Sequence, residues 1–309
     1  MCGIIAITGN KIKDVSESTV QNMLTTLSRR GPDDRGFTRI GDALLGQTRL
    51  SIVDIKSGHQ PMKDTLRPFT IVFNGEIYGY KDLRAKLQKL GYSFNTNSDT
   101  EVILKSYAEY GRNCVRELDG MFAFAIWDDE KKELFIARDR FGKKPFYYTW
   151  RDKTFFAASE IKALFAVGVK GKVSVDCLND YLRLSYVPSE ETIYENIYTL
   201  PPANAAIVKD GEIETWQYWK LEKKKLDISY DEAKIEIKRL FDKAVKKRMI
   251  ADVEIGSLLS GGIDSTLVTM YAQKYSKTPI KTFSVGYESS KNELSYATEV
   301  SEKIGADLY

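Results

Sequence analysis

The chain has 309 residues, 43% of them hydrophobic, and 46 Lys and Arg stand against 43 Asp and Glu for a net charge of +3. That length admits two domains, and a nearly balanced charge is no footprint for nucleic acid; the one basic run, 220–225, reads as a solvated connection. No stretch of about 18 apolar residues is present to span a membrane. The N-terminus has no basic, apolar leader. Three scattered cysteines (Cys2, Cys114, Cys177) and a single histidine, His59, form neither a zinc cluster nor a disulfide framework. The expectation is a soluble protein of the reducing cytoplasm without a prosthetic group.

Met1-Cys2-Gly3 runs directly into the β-branched stretch Ile4–Ile7, which reads as a buried strand. Val20, Met23, Leu24 and Leu27 have helical spacing, closed by the turn at Arg29–Pro32. Strands are expected over 43–55 and 69–73, and an amphipathic helix over 80–90, ended by Gly91. Ser98 or Asp99 caps a further helix running to Gly111. Hairpin signals follow: 121–127 with 134–137, then 146–148 with 155–158, then 205–219. Such strand density with interleaved helices predicts packed antiparallel sheets flanked by helices over 1–219. From about 220 the pattern changes: a helix over 233–249, a strand over 253–259, the loop Ser260–Ser265, a helix from about Thr266 and a buried strand over 280–285. Strand, glycine loop, helix and strand mark the start of an α/β doubly wound domain over 220–309. A complete domain of that kind needs on the order of 100–200 residues, so the chain reads as C-terminally truncated.

Four constellations carry chemistry. Cys2 becomes the first residue if Met1 is removed, and it then has a thiol nucleophile and an α-amine base on one residue; the plain alternative is a small apolar residue opening a strand. With one histidine in the chain, rival bases are few. Arg49 and Asp99 suit the carboxylate and ammonium of an α-amino acid, although each taken singly reads as a surface residue. Phe73-Asn74-Gly75-Glu76 interrupts an apolar strand, and Asn-Gly there is either a hairpin turn or an oxyanion hole built from the Asn74 amide and the Gly75 N–H; spacing alone does not choose. Ser260-Gly261-Gly262-Ile263-Asp264-Ser265 opens a helix after a strand, the setting of a phosphate cradle. Its serines are donors and Asp264 is a candidate Mg²⁺ ligand, but it lacks the Walker lysine.

Together these pieces resemble the glutamine-dependent asparagine synthetases. The resemblance is carried in order by Met1–Ala6, Arg30–Asp34, Thr48–Asp54, Phe73–Tyr78, Ser98–Glu101, Gly120–Asp128, Ala137–Pro145, Ala158–Glu160 and Ser260–Ser265. It implies a class II glutamine amidotransferase domain over 1–219 with the N-terminal-nucleophile fold, layered helix, sheet, sheet, helix, and a partial asparagine synthase domain over 220–309. Cys2 would attack the glutamine side-chain amide, Asn74 and Gly75 would hold the oxyanion, and Arg49 the carboxylate. Glu76 and Asp99 would take the ammonium, with main-chain groups of Ile52 and Val53 completing the pocket. Ammonia would pass to a MgATP site at Ser260, Gly261, Gly262, Asp264 and Ser265, with Leu258 and Val285 against the adenine, where aspartate is adenylated and amidated. The implied partners are glutamine, ATP, aspartate and a second copy in a homodimer.

Two residues depart from the family pattern. Gln47 stands where histidine is frequent, which leaves the fine arrangement of that loop open, and Ala203 stands where glycine is usual. The region that recognises aspartate is not among these residues, so glutamine hydrolysis alone is expected of them. Readings outside this one are an amidotransferase acting on a sugar, peptide or antibiotic precursor, a glutaminase coupled to phosphoribosyl chemistry, and a non-catalytic binding protein on the same fold.

Overall fold

The computed structural model describes residues 1–286 and 294–309, and the chain divides into two compact units, Met1–Glu222 and Lys223–Tyr309. In chain order the first unit contains β1 (Gly3–Gly9), α1 (Glu17–Thr26), β2 (Asp34–Ile40), β3 (Ala43–Arg49), β4 (Met62–Lys63), β5 (Phe69–Ile77), α2 (Tyr80–Lys89), α3 (Asp99–Tyr110) and α4 (Cys114–Glu117). It continues with β6 (Gly120–Asp128), β7 (Glu133–Arg138), β8 (Tyr147–Arg151), β9 (Thr154–Ala158), α5 (Ile161–Phe165), α6 (Val175–Leu184), β10 (Tyr198–Thr199), β11 (Asn204–Lys209) and β12 (Glu212–Gln217).

Alternation along β1 decides the layering. Ile4 and Ala6 face Val72, Ala123, Ala125 and Ile136 in the core between two sheets, while Ile5 and Ile7 face Val20, Met23 and Leu24 of α1. Both faces are therefore covered, which is why the strand reads as a continuous apolar run instead of an alternating one. The first sheet has the order β10-β8-β9-β1-β3-β2 and the second β12-β11-β7-β6-β5-β4. All pairings in both are antiparallel. Helix α3 covers the outer face of the second sheet, where Tyr107 stacks on Phe135 (5.0 Å edge-on from Phe69, 5.3 Å from Phe135). The result is the helix, sheet, sheet, helix sandwich expected of the first two-thirds of the chain.

Several local expectations are corrected. The strand expected over 43–55 stops at Arg49, because the following residues leave the sheet and their carbonyls turn back to accept from the Arg49 guanidinium. Asn74-Gly75 is no turn. Strand β5 passes straight through it, with Asn74 opposite Ala123 and Gly75 opposite Phe122 in β6. Gly75 is required by close approach, since a methyl there would run into the Met121 carbonyl and the Phe73 ring. Ala203 adopts φ +60°, the left-handed region in which glycine carries no steric penalty. Strand β2 and helices α5 and α6 were not foreseen; α6 has a Ser174 cap but leaves Val175, Leu182 and Leu184 exposed, so its apolar spacing marks no core face.

The second unit comprises α7 (Tyr230–Arg248), β13 (Gly256–Leu258), α8 (Ile263–Tyr275), β14 (Lys281–Phe283), α9 (Leu294–Ile304) and β15 (Asp307–Leu308), with a parallel sheet ordered β13-β14-β15. A capping box starts α7: the Ser229 hydroxyl accepts from the Glu232 N–H while the Glu232 carboxylate accepts from the Ser229 N–H. The strands are shorter than the 253–259 and 280–285 expected, and α8 begins at Ile263, not near Thr266, with Gly262 as its N-cap. Among the described residues no helix is long and apolar enough to cross a membrane.

Candidate active site

Side chains of one parity on β1, β3 and β5 point between the sheets. Along most of the strands these are the apolar residues of the core, but at one end they are Cys2, Gln47, Arg49, Asn74 and Glu76. The sandwich opens there into a cavity of about 220 Å³ lined by Cys2, Arg49, Asn74, Gly75 and Glu76, by Ile52 and Val53 from the loop after β3, and by Asp99 from α3. All eight residues singled out in this half of the chain thus share one cavity.

The N-terminus is pinned from two sides. Ser159 donates its N–H to the Ile4 carbonyl and accepts the Ile4 N–H on its hydroxyl, both at 3.0 Å. Arg30 donates to the Cys2 carbonyl at 2.9 Å and pairs with Glu160 at 3.2 Å. The Cys2 thiol faces the Leu50 carbonyl at 3.7 Å, and burial pushes its pKa up. Arg49, buried to 4% exposure, donates to the carbonyls of Val53 (3.2 Å), Asp54 (2.8 Å) and Ile55 (3.2 Å), so it shapes the loop that walls the cavity. Asp54 extends that frame, because its carboxylate accepts from the Ser57 and Asn97 N–H groups and joins the loop to the segment leading into α3.

Asp99 is the first residue of α3, placed by the Ser98 cap, and its carboxylate accepts the Ile77 N–H at 3.1 Å. Burial, with the Glu76 carboxylate adding to it, pushes Asp99 up to about 6. Asn74 is 1% exposed, and neither its side-chain nitrogen nor its oxygen has a protein partner. Buried amides are almost always hydrogen-bonded, so an orphaned one facing a cavity is a donor and acceptor held ready for a ligand. Below it, Gln47 donates to the Phe73 carbonyl at 2.7 Å and Gln60 accepts the Phe73 N–H at 2.7 Å. Gln47 therefore ties β3 to β5 at the residue before Asn74.

Lys144, Gln60, Asp54 and Arg30 were missed as site residues. Lys144 sits in Ala137–Pro145, a stretch that carries the resemblance without a role for this lysine, yet it is 3% exposed and lines the cavity. Asp54 and Gln60 act on backbone groups far along the chain, a kind of pairing that no local pattern signals.

In the second unit, Ser260 and Ser265 bring their hydroxyls to 3.1 Å, with Gly261 between them at φ +76°. Leu258, Ser260, Ser265 and Val285 line a hollow of about 340 Å³ with Phe283, Ser284 and Leu294, and Leu258 and Val285 are 80% and 74% exposed. Gly261 and Gly262 in the loop and Asp264 in the first turn of α8 do not line the hollow. No group of three or more His, Cys, Asp or Glu side chains suited to a metal occurs among the described residues.

Two antiparallel sheets between helices, with the first strand carrying a cysteine into an open end of the sandwich, define the N-terminal-nucleophile fold. The whole chain aligns at a TM-score of 0.53 and 17% identity with 64% of a solved structure described as the allosteric regulatory enzyme of purine biosynthesis, a likeness of fold alone. Residues 1–219 match the model of the glutamine amidotransferase domain and residues 236–309 that of asparagine synthase. The chain belongs to the glutamine amidotransferase domain family. It is 39% identical over 299 residues to glutamine-hydrolyzing asparagine synthetase 3 of Bacillus subtilis (strain 168), covering 94% of this chain and 49% of that one. It is 34% identical over 313 residues to asparagine synthetase 1 of the same organism, covering 99% and 49%. The chain spans about half the length of these relatives.

Proposed function

We propose that residues 1–219 form a glutamine amidase whose ammonia serves an ATP-dependent amidation centred on residues 220–309 of a glutamine-hydrolysing asparagine synthetase of the cytoplasm. One observation carries the amidase reading: an amide with no partner, Asn74, is buried beside Cys2 in a cavity that has Arg49 at one wall and two carboxylates, Glu76 and Asp99, at another. That is a charge pattern for an amino-acid zwitterion with an oxyanion donor where its side chain would end.

With Met1 removed, the Cys2 amine takes the thiol proton and the thiolate attacks the amide carbon of glutamine. Asn74 Nδ2 and the Gly75 N–H hold the oxyanion of the tetrahedral intermediate. The amine returns its proton to the leaving nitrogen, ammonia departs, and water hydrolyses the thioester to glutamate. Arg49 holds the substrate carboxylate, Glu76 and Asp99 its ammonium, and main-chain groups of Ile52 and Val53 the remaining edge. In the second unit the Ser260–Ser265 loop takes the phosphates of ATP, with Leu258 and Val285 against the adenine. Mg²⁺ would be held by those phosphates with Asp264 as its protein carboxylate. In the whole protein the aspartate side chain displaces pyrophosphate from ATP, and ammonia then displaces AMP to give asparagine.

The amidase reading is tested with purified protein whose methionine removal is verified by intact mass. Glutamate should be released from glutamine, and a thiol-trapping glutamine analogue should add one equivalent at Cys2. Processed protein that neither turns over glutamine nor takes the label overturns the reading.

A further inference from the structure

Lys144 is a buried cation with no ion pair within hydrogen-bonding reach among the described residues, although the Glu76 carboxylate acts on it across the cavity. Asp139 fixes its backbone: one carboxylate oxygen accepts the Lys144 N–H at 2.9 Å, and the other accepts those of Phe141 and Lys143 at 3.1 and 3.0 Å. Arg138 donates to the Lys144 carbonyl at 2.7 Å. The ammonium is thereby aimed into the Cys2 cavity, where its one hydrogen-bond partner among the described residues is the Met1 thioether, at 3.0 Å. A thioether is a weak acceptor. Burying an ammonium without a direct ion pair is costly to the fold, and the Glu76 carboxylate in the same cavity offsets only part of that at a distance. Removal of Met1 takes away even the thioether and leaves the ammonium facing the end of the chain.

The charges around this point come from every wall. Glu76 on β5, Arg30 after α1 and Asp139 after β7 act on Lys144, while Arg49 and Asp99 act on the Cys2 thiol and Asp33 on the terminal amine. Both arginines already have partners: Arg30 holds Glu160 and the Cys2 carbonyl, and Arg49 holds three loop carbonyls. Lys144 differs from both, because the one group its ammonium hydrogen-bonds is a thioether. A positive charge beside an amine disfavours its protonation and beside a thiol favours the thiolate, so one ammonium pushes both groups the way the amidase step needs.

We propose that Lys144 is a positioning residue for the amidase step: in the processed chain its ammonium stands against the Cys2 amine and thiol, keeping the amine free of a solvent proton so that it can accept the proton of the thiol. This rests on Cys2 being the nucleophile and adds a residue that acts through it. Processed wild type, Lys144→Met and Lys144→Arg are compared in two series across pH: glutamine hydrolysis, and alkylation of Cys2 by iodoacetamide without substrate. In Lys144→Met the acid limb of kcat/KM should move up by about one pH unit, a roughly tenfold loss at acid pH that fades at alkaline pH. The alkylation midpoint should rise with it, and Lys144→Arg should keep both near wild type. Lys144→Gln carries the same expectation if the methionine variant does not fold or is not processed. An equal loss at every pH, an unmoved limb, or an arginine variant behaving like the methionine one overturns the proposal. A wild type without amidase activity overturns the functional reading instead, and the alkylation series still decides Lys144.

Discussion

Asn74 and Asp99 both bury polar atoms at the wall of the cavity. Asn74 buries a donor and an acceptor with no partner. On the proposed role of Asn74 in holding the oxyanion, Asn74→Ala should lower kcat for glutamine about 10²–10³-fold with KM little changed. The thermal midpoint should not fall, since the variant no longer buries an unsatisfied amide; kinetics and melting on one preparation check both halves. Asp99 ordinarily titrates near 3.8 and is held at about 6 by burial and by Glu76. The folded state therefore binds this proton more tightly than the unfolded chain does. The stability it confers is fully present below pH ~4 and lost as pH rises through ~6, on the order of 3 kcal/mol in all. Asp99→Asn should abolish that loss and raise stability at pH 8, measured by denaturant titration at pH 4, 6 and 8, while raising KM for glutamine. In the wild type a bound ammonium favours the ionised carboxylate, so KM should climb as pH falls below ~6. Cys2, Arg49 and Asp99 were singled out by their residue types and Glu76 by the family resemblance, and the cavity brings all four together. Lys144 and Gln47 were not legible as site residues, because what matters in them is burial, and a lysine pair before proline or a glutamine in a strand does not announce burial.

At the level of elements, β5 shows how a site can contradict local preference. Asn-Gly inside an apolar run favours a turn, yet the ladder to β6 continues across it from Phe69 to Ile77. Tertiary pairing outweighs a preference of a few tenths of a kcal/mol per residue. The pairing also forces the glycine, because the Met121 carbonyl and Phe122 backbone leave no room for a methyl. Gly75→Ala should destabilise the first unit by about 3 kcal/mol, the upper end for overpacking, since backbone on the neighbouring strand cannot move aside as a side chain would. The neighbouring Asn74→Ala should do nothing of the kind, and the two midpoints in one melting experiment separate the roles. Helices α1 and α3, with a serine cap and a buried stripe, α2, with its buried stripe ended by glycine, and α7, with its capping box, could be read from the chain. The short α5 could not, because five residues are too few to display a period, and neither could α6, whose apolar residues are mostly exposed. Strand β2 was equally hidden, since Asp34–Ile40 is a half-exposed edge with charges along it.

The two units differ in how much they bury. The first has a core between its sheets and another under α1 and α5. The second gathers Val245, Ala272 and Ile280 and leaves Leu258, Ile263, Val268 and Val285 exposed. Small units bury a smaller share of their surface and are correspondingly less stable. The segment between them, residues 220–229, has no helix or strand and is exposed almost throughout, with Lys223, Lys224 and Lys225 in a row. Exposed backbone without internal hydrogen bonds is where proteases cut first. Brief trypsin treatment of the whole chain should therefore cleave within 220–225 before any other site, as read by mass spectrometry. If the amidase centre belongs to the first unit alone, glutamine hydrolysis should persist through that cut, because every residue lining its cavity lies between Met1 and Lys144. Loss of hydrolysis in step with that cleavage would show that the centre depends on the second unit.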